Sequence, residues 1–205
     1  MRNSYPLISI LCTAWFLLLN LSSQAQQQVT VERPVLLMGS VFQITLVAAD
    51  SLQTNALIDK TIEEITRIEN LISEWQPHTQ VSKVNQNAGL KAVTVDAALY
   101  ELTKRAIAYS EKTDGAFDIS TAALDRIWIF DDSMDTLPSP DAIKNSVAYV
   151  NYKDIILDST QSTIFLKNKG MKIGFGSIGK GYAADKGRAL MLQHNVEAGI
   201  VDASG

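Results

Sequence analysis

Cysteine is all but missing from these 205 residues: there is one, Cys12, beside five prolines and two histidines. Each shortage removes a class of explanation. A lone cysteine cannot staple the chain by an internal disulfide or build a Cys-ligated zinc site. Five prolines and 11 glycines are too few for a collagen-like or low-complexity chain. Disorder is excluded as well, because 46% of the residues are hydrophobic and only 20% charged. Charge of one sign is also scarce. Lys+Arg 18 against Asp+Glu 22 gives a net charge of −4 without a basic stripe, so nothing electrostatic favours nucleic acid. What remains is one globular domain with a real core.

The single long apolar run opens the chain. Arg2 precedes Pro6 to Leu21, and Ser22-Ser-Gln-Ala25 follows. A short basic start, an apolar middle and small residues at −3 and −1 predict a secretory signal peptide over residues 1–25, with the mature domain over 26–205. The run also approaches the length of a membrane anchor, but Asn20 interrupts it and the Ser23-x-Ala25 site follows at once. Cleavage would remove Cys12 and leave a mature chain without thiol chemistry. Cys12 is followed by further apolar sequence, which makes it a poor lipid-attachment site.

Beyond the leader, strands and helices alternate. Residues 28–37 and 40–48 predict two strands joined tightly at Met38-Gly39. Leu57, Ile58, Ile62, Ile65, Ile68, Leu71 and Ile72 form one stripe of a long helix from Ser51, with Glu63, Glu64, Arg67 and Glu69 on its wet side. A polar loop is expected over 74–89, a short strand at 93–95, and a helix capped by Asp96 and ending near Lys112. Thr113-Asp-Gly-Ala-Phe-Asp118 breaks that helix, and a weak helical stretch runs on toward Trp128. Residues 131–140 predict a loop, with a short helix starting at Pro140-Asp141. Residues 154–158, 163–167 and 171–175 predict a strand meander, followed by a helix over 181–194 and a strand over 198–202. The adjacent hairpins favour an α+β fold over a purely parallel sheet.

Eight of the 11 glycines fall between Gly170 and Gly205. Such crowding marks backbone that must approach something closely. Within it, Gly174-Phe-Gly176-Ser-Ile-Gly179-Lys180-Gly181 joins a predicted strand to a predicted helix, an arrangement whose free amides and positive dipole end suit a phosphate. As a dinucleotide fingerprint it is misplaced, since it follows a meander instead of opening a βαβ unit. As a Walker A loop it has Gly181 where a magnesium-binding hydroxyl is needed. Glycines that merely allow helix and sheet to pack remain a further reading.

Four separated segments decide among these. Met38-Gly-Ser40, Ser73-Glu-Trp75 with Val81-Ser-Lys-Val-Asn85, Thr113 to Asp118 with Trp128 downstream, and Gly179-Lys-Gly-Tyr-Ala-Ala-Asp185 occur in order. Together they resemble the ApbE family, the FAD:protein FMN transferases, over about residues 37–205. The resemblance implies an α+β fold of mixed sheets with packed helices. It also implies Mg²⁺-dependent transfer of FMN from FAD to a threonine hydroxyl of an acceptor protein, with release of AMP. Acceptors of the family are typically subunits of membrane redox pumps, reached on the exported side, which agrees with the leader. Some relatives use water as acceptor and act as FAD pyrophosphatases.

The resemblance further implies that Met38, Trp75, Ala116, Phe117, Asp118, Gly174 and Lys180 contact the flavin nucleotide, and that the Ser177 backbone carbonyl is a metal ligand. Trp75 stands in a polar loop with little core to join, which favours stacking on a ring. Asp118 could accept hydrogen bonds from adenine or ribose, or simply hold a turn. Asp114, beside Gly115, suits turn chemistry. Gly174 departs from the family, many of whose members carry Asp there. His78 and His194 receive no role.

The end at Val201-Asp-Ala-Ser-Gly205 resembles the middle of the family's second glycine motif. A fragment is therefore expected, whose remaining metal ligands and general base lie beyond residue 205, and which is itself inactive. An exported flavin binder without transferase activity, and an accessory subunit that binds no flavin, are the other classes this sequence allows.

Overall fold

The computed structural model describes residues 28–128, 135–194 and 196–203. The leader and part of the 131–140 loop lie outside them. The first sheet has the order β1-β2-β6, from β1 (Val29–Leu37), β2 (Ser40–Ala48) and β6 (Ala198–Asp202), all antiparallel. The register Leu37↔Ser40 leaves Met38 and Gly39 as a two-residue connection. Both have positive φ, 51° and 74°, the geometry whose twist matches a hairpin. Pro34 is tolerated because β1 is an edge strand, where a missing N–H costs no ladder bond.

Strand β2 turns Phe42, Ile44 and Leu46 inward, all at 0% exposure. Helix α1 (Ser51–Ile72) lies on this face, buried along Leu57, Ile58, Ile65, Ile68, Leu71 and Ile72. Asp50 starts the helix by accepting the Gln53 N–H at 2.7 Å. Truncating a fully buried member of this layer, such as Phe42, would cost about 3–5 kcal/mol.

Helices α2 (Gln80–Gln86) and α3 (Ala97–Lys112) follow, with the short strand β3 (Val93–Thr94) between them. The polar loop expected over 74–89 therefore holds a helix, started by the Thr79 hydroxyl on the Ser82 amide. It is too short for periodicity to reveal. A 3-10 segment (Ile119–Arg126) and α4 (Pro140–Val147) lead to β4 (Ile155–Asp158) and β5 (Thr163–Leu166), and the second sheet has the order β3-β5-β4. Helix α5 (Gly179–Leu192) then returns against α1 before β6.

The expected third strand of the meander, 171–175, is not in a ladder. The side chain of Asn85 holds it instead, donating from Nδ2 to the Ile173 carbonyl at 2.9 Å and accepting the Ile173 amide at 2.8 Å. On the far side the Gly174 amide donates to the Ile119 carbonyl at 3.0 Å. Its apolar alternation arises from burial of Met171, Ile173 and Phe175, and not from pairing with a neighbouring strand. The α+β architecture expected from the sequence is otherwise present, as mixed helices around two antiparallel sheets.

Candidate functional site

A cavity of about 330 Å³ opens where the β1–β2 turn, the end of α1, the loop after it and the start of α5 meet. Its walls include Met38, Ile72, Trp75, Phe175, Gly176 and Lys180. The volume lies at the small end of ligand pockets, roughly 300–1,000 Å³, enough for part of a dinucleotide.

Each wall is fixed by local chemistry. Helix α1 ends as the Ser73 amide donates to the Glu69 carbonyl at 3.0 Å. The Thr79 hydroxyl then ties the loop by donating to Ser73 and Gln76 carbonyls at 2.8 and 3.1 Å, and Ser82 Oγ donates to Gln76 at 2.8 Å. That knotted loop presents Trp75 at 80% exposure, an orientation no core packing requires. Opposite, the Phe175 carbonyl accepts both the Ile178 amide at 3.1 Å and the Gly179 amide at 2.6 Å, making the turn that launches α5. A Cβ on Gly179 would come within 2.7 Å of Ile72 Cδ1, so glycine lets the start of α5 sit close on the end of α1.

Electrostatics single out this helix start. Helices α1, α2, α3 and α4 each begin with a side-chain cap, whereas α5 has Ile178 at that position and no capping hydrogen bond. The first-turn amides of a helix lack intrahelical acceptors and carry the positive end of its dipole. Here Lys180 stands in the same turn. Two carboxylates, Glu69 and Glu74, also line the cavity. Elsewhere on α1, the Arg67 guanidinium holds the Glu64 carboxyl below its ordinary value by hydrogen bonding and attraction.

Of the residues expected to meet the nucleotide, the structure brings Met38, Trp75 and Lys180 together on this cavity. Gly174 is buried one residue behind Phe175, and its missing side chain has a counterpart. A Cβ there would meet Glu74 Oε1 at 2.6 Å and Ala122 Cβ at 2.9 Å, so the Glu74 carboxyl fills that space. Ser177 is exposed in the turn beside Gly176.

Ala116, Phe117 and Asp118 lie outside the cavity walls. Ala116 is exposed, and the Phe117 ring meets Tyr109 edge-on at 6.2 Å. Both oxygens of Asp118 are engaged: Oδ1 accepts Ser120 N at 2.7 Å and Ser120 Oγ at 2.6 Å, and Oδ2 accepts Tyr152 N at 2.9 Å. Asp114 adopts φ 50°, in keeping with a turn role. His78 and His194 are exposed.

Glu69 corrects the sequence reading, which put it on the wet face of α1. Its Oε2 accepts the Met38 amide at 3.1 Å and it lines the cavity. Helical periodicity cannot tell a solvent face from a cavity face, since both take polar residues. In the sequence Asn85 is one letter of a motif; its clamp on Ile173 spans 88 positions and leaves no local signal. Among the described residues no group of three or more His, Cys, Asp or Glu side chains is placed to hold an ion.

Comparison with known proteins bears on the family and the fold. The ApbE family model matches residues 38–205. A FAD:protein FMN transferase of Klebsiella pneumoniae (strain 342) is 31% identical over 169 residues, covering 82% of this chain and 52% of that protein. One from Treponema pallidum (strain Nichols) is 28% identical, covering 75% of this chain and 44% of that one. The chain thus spans about half the length of the curated relatives it matches. The crystal structure of the ApbE protein from Thermotoga maritima MSB8 superposes with a TM-score of 0.74 at 28% identity, over 83% of this chain and 55% of that one. The flavin transferase ApbE from Vibrio cholerae, at 20% identity and a TM-score of 0.75, covers 85% of this chain and 57% of its own, and bears on the fold alone. With the family model matched over most of its length, the chain belongs to the ApbE family.

Proposed function

We propose that this cavity binds the diphosphate and one ring system of FAD, and that the protein transfers FMN from FAD to a threonine hydroxyl of an acceptor protein. The observation that carries the reading is the meeting of Met38, Trp75 and Lys180 at an uncapped helix start. Trp75 supplies a flat exposed face on which a flavin or adenine ring stacks. The Lys180 ammonium and the first-turn amides of α5 draw the diphosphate, whose charge would otherwise repel a nucleophile. The Ala116–Asp118 loop belongs to the frame outside this cavity: Asp118 caps the segment whose Ile119 carbonyl accepts the Gly174 amide.

The reaction is displacement at the FMN phosphorus. The acceptor oxygen forms a P–O bond there, the bond to the bridging oxygen breaks, and AMP leaves with that oxygen. The hydroxyl proton passes to a general base. With water as acceptor the same displacement gives FMN and AMP. Mg²⁺, when bound, would neutralise charge on the diphosphate. The Ser177 carbonyl, proposed as one ligand, is by itself short of octahedral coordination. The leader predicted over residues 1–25 would deliver the protein to the exported side of the membrane, where a redox-pump subunit is the proposed acceptor.

Titrating the protein as its gene encodes it with FAD, with and without Mg²⁺, while following tryptophan emission and AMP release tests the reading. Quenching that disappears in Trp75→Ala, together with AMP formation, is expected. Quenching without AMP under any condition, with or without an acceptor threonine peptide, would reduce the protein to a flavin binder. No response to FAD at all would remove the flavin reading.

A further inference from the structure

We propose that Glu69 is a positioning residue of this site: its carboxylate holds the Met38–Gly39 turn over the cavity, and the flavin contact of Met38 depends on that hold. The inference rests on the flavin reading above.

Met38 adopts φ 51°, in the left-handed region. A side chain there is strained, and methionine has none of the local hydrogen bonding that lets asparagine or aspartate tolerate it. Such a conformation persists only where its surroundings over-determine it, and it gathers at ligand clamps. The hairpin register supplies part of the constraint. The rest comes from α1, where Glu69 Oε2 accepts the Met38 amide at 3.1 Å, a contact bridging 31 positions.

The acceptor is itself well anchored. Glu69 lies one turn before the end of α1, and its carbonyl receives the Ser73 amide at 3.0 Å. Held this way, Met38 lines the cavity, and its Cε would stand 3.4 Å from a Cβ built on Gly179. The Met38 side chain thereby comes close to the start of α5, where the diphosphate is proposed to bind. Charge supports the same conclusion. A carboxylate that shares a cavity with Lys180 opposes an anionic ligand, so a purely electrostatic role in binding FAD would have the wrong sign. Spent on the Met38 amide, it acts through the turn instead.

Hydrogen exchange at the Met38 amide, read by NMR, and FAD affinity, read by quenching, test this in the protein as its gene encodes it. Glu69→Ala should speed Met38 exchange at least roughly tenfold and weaken FAD about tenfold, as expected for losing a hydrogen bond to a charged acceptor. Glu69→Gln keeps an acceptor oxygen and removes the adverse charge. It should keep exchange slow and bind FAD at least as tightly as the parent. Should the alanine variant fail to fold, Glu69→Asp, one methylene short of the amide, provides the same contrast. A residue serving stability alone would lower Tm and leave Met38 exchange and FAD affinity unmoved. Unchanged Met38 exchange in the alanine variant, faster exchange with intact FAD affinity, or a glutamine variant that behaves like alanine would each overturn the proposal. A parent that binds no FAD overturns the flavin reading and the ligand half of this one. Failure of the exchange contrast in a parent that does bind FAD overturns this proposal alone.

Discussion

Two glycine-bearing turns each lead into a helical segment, and they end in opposite states. In the turn from Thr113 to Ser120, Asp118 satisfies three donors, and Ser120 Oγ in turn accepts the Asn151 amide at 2.9 Å. In the elbow from Gly174 to Lys180, the helix that follows has no side-chain cap, and the turn faces a cavity. Both turns resemble nucleotide-contacting segments in sequence. The difference teaches that a turn whose side chain already serves its own backbone is committed to the frame, while a helix start left uncapped at a cavity is available to a ligand.

Removing the Asp118 carboxylate tests the first half of that contrast and carries the largest expected effect. Asp118→Ala leaves the Ser120 amide, the buried Ser120 hydroxyl and the Tyr152 amide without their acceptor, at a cost of about 3 kcal/mol. The urea midpoint should fall accordingly, while FAD affinity of the folded variant changes less than about twofold. A folded variant that loses FAD binding tenfold or more would break the comparison and make Asp118 a ligand contact.

Asn85→Ala comes next. Its amide closes both sides of the Ile173 peptide, and its loss strands an amide and a carbonyl in a part-buried place, for about 2 kcal/mol. Because residue 173 leads straight into the elbow, FAD affinity should drop as well, unlike in Asp118→Ala. Loss of stability with unaltered affinity would show that the elbow keeps its shape without the clamp.

These two sites differ in how much of them the sequence disclosed. The stripe on α1, the Met38-Gly39 connection and the Asp96 cap were legible because each is local: a period, a turn pair, a cap two residues from its target. The run 171–175 was legible as extended but not as unpaired, since alternation records burial and says nothing of which partner supplies hydrogen bonds. The helix at 80–86 was hidden by its length, and Glu69 by the identity of polar faces. For the cavity, Met38, Trp75 and Lys180 were found through a resemblance to known proteins. Their meeting could not come from spacing, because three elements far apart in sequence have to pack before it exists.

Lys180→Ala addresses the second half of the contrast with a smaller effect. At an uncapped helix start a cation is expected to strengthen phosphate binding about tenfold, or ~1.4 kcal/mol, while folding stability stays within about 0.5 kcal/mol. The loss in affinity should shrink as salt is raised, because the site is open to solvent ions. A variant that binds FAD as the parent does would detach the diphosphate from this elbow.

The smallest effect belongs to a charged pair that serves neither turn. Arg67 donates to both oxygens of Glu64, at 2.8 and 2.9 Å, on the same helix as Glu69. This contact holds the Glu64 carboxyl below its ordinary value of 4.5 and raises the Arg67 guanidinium. A folded-state pKa lowered in this way contributes stability that is present above the unfolded value and lost as pH falls through the folded one. Glu64→Gln should therefore cost about 0.5 kcal/mol at neutral pH, the ordinary worth of an exposed helical pair, and nothing once the parent's carboxyl is protonated. Paired urea melts of parent and variant at neutral pH and well below pH 4.5 measure this. Neither FAD affinity nor Met38 exchange should respond. If they did, α1 would be relaying charge along its length to the cavity, and Glu69 would lose its standing as the helix's separate link to the turn.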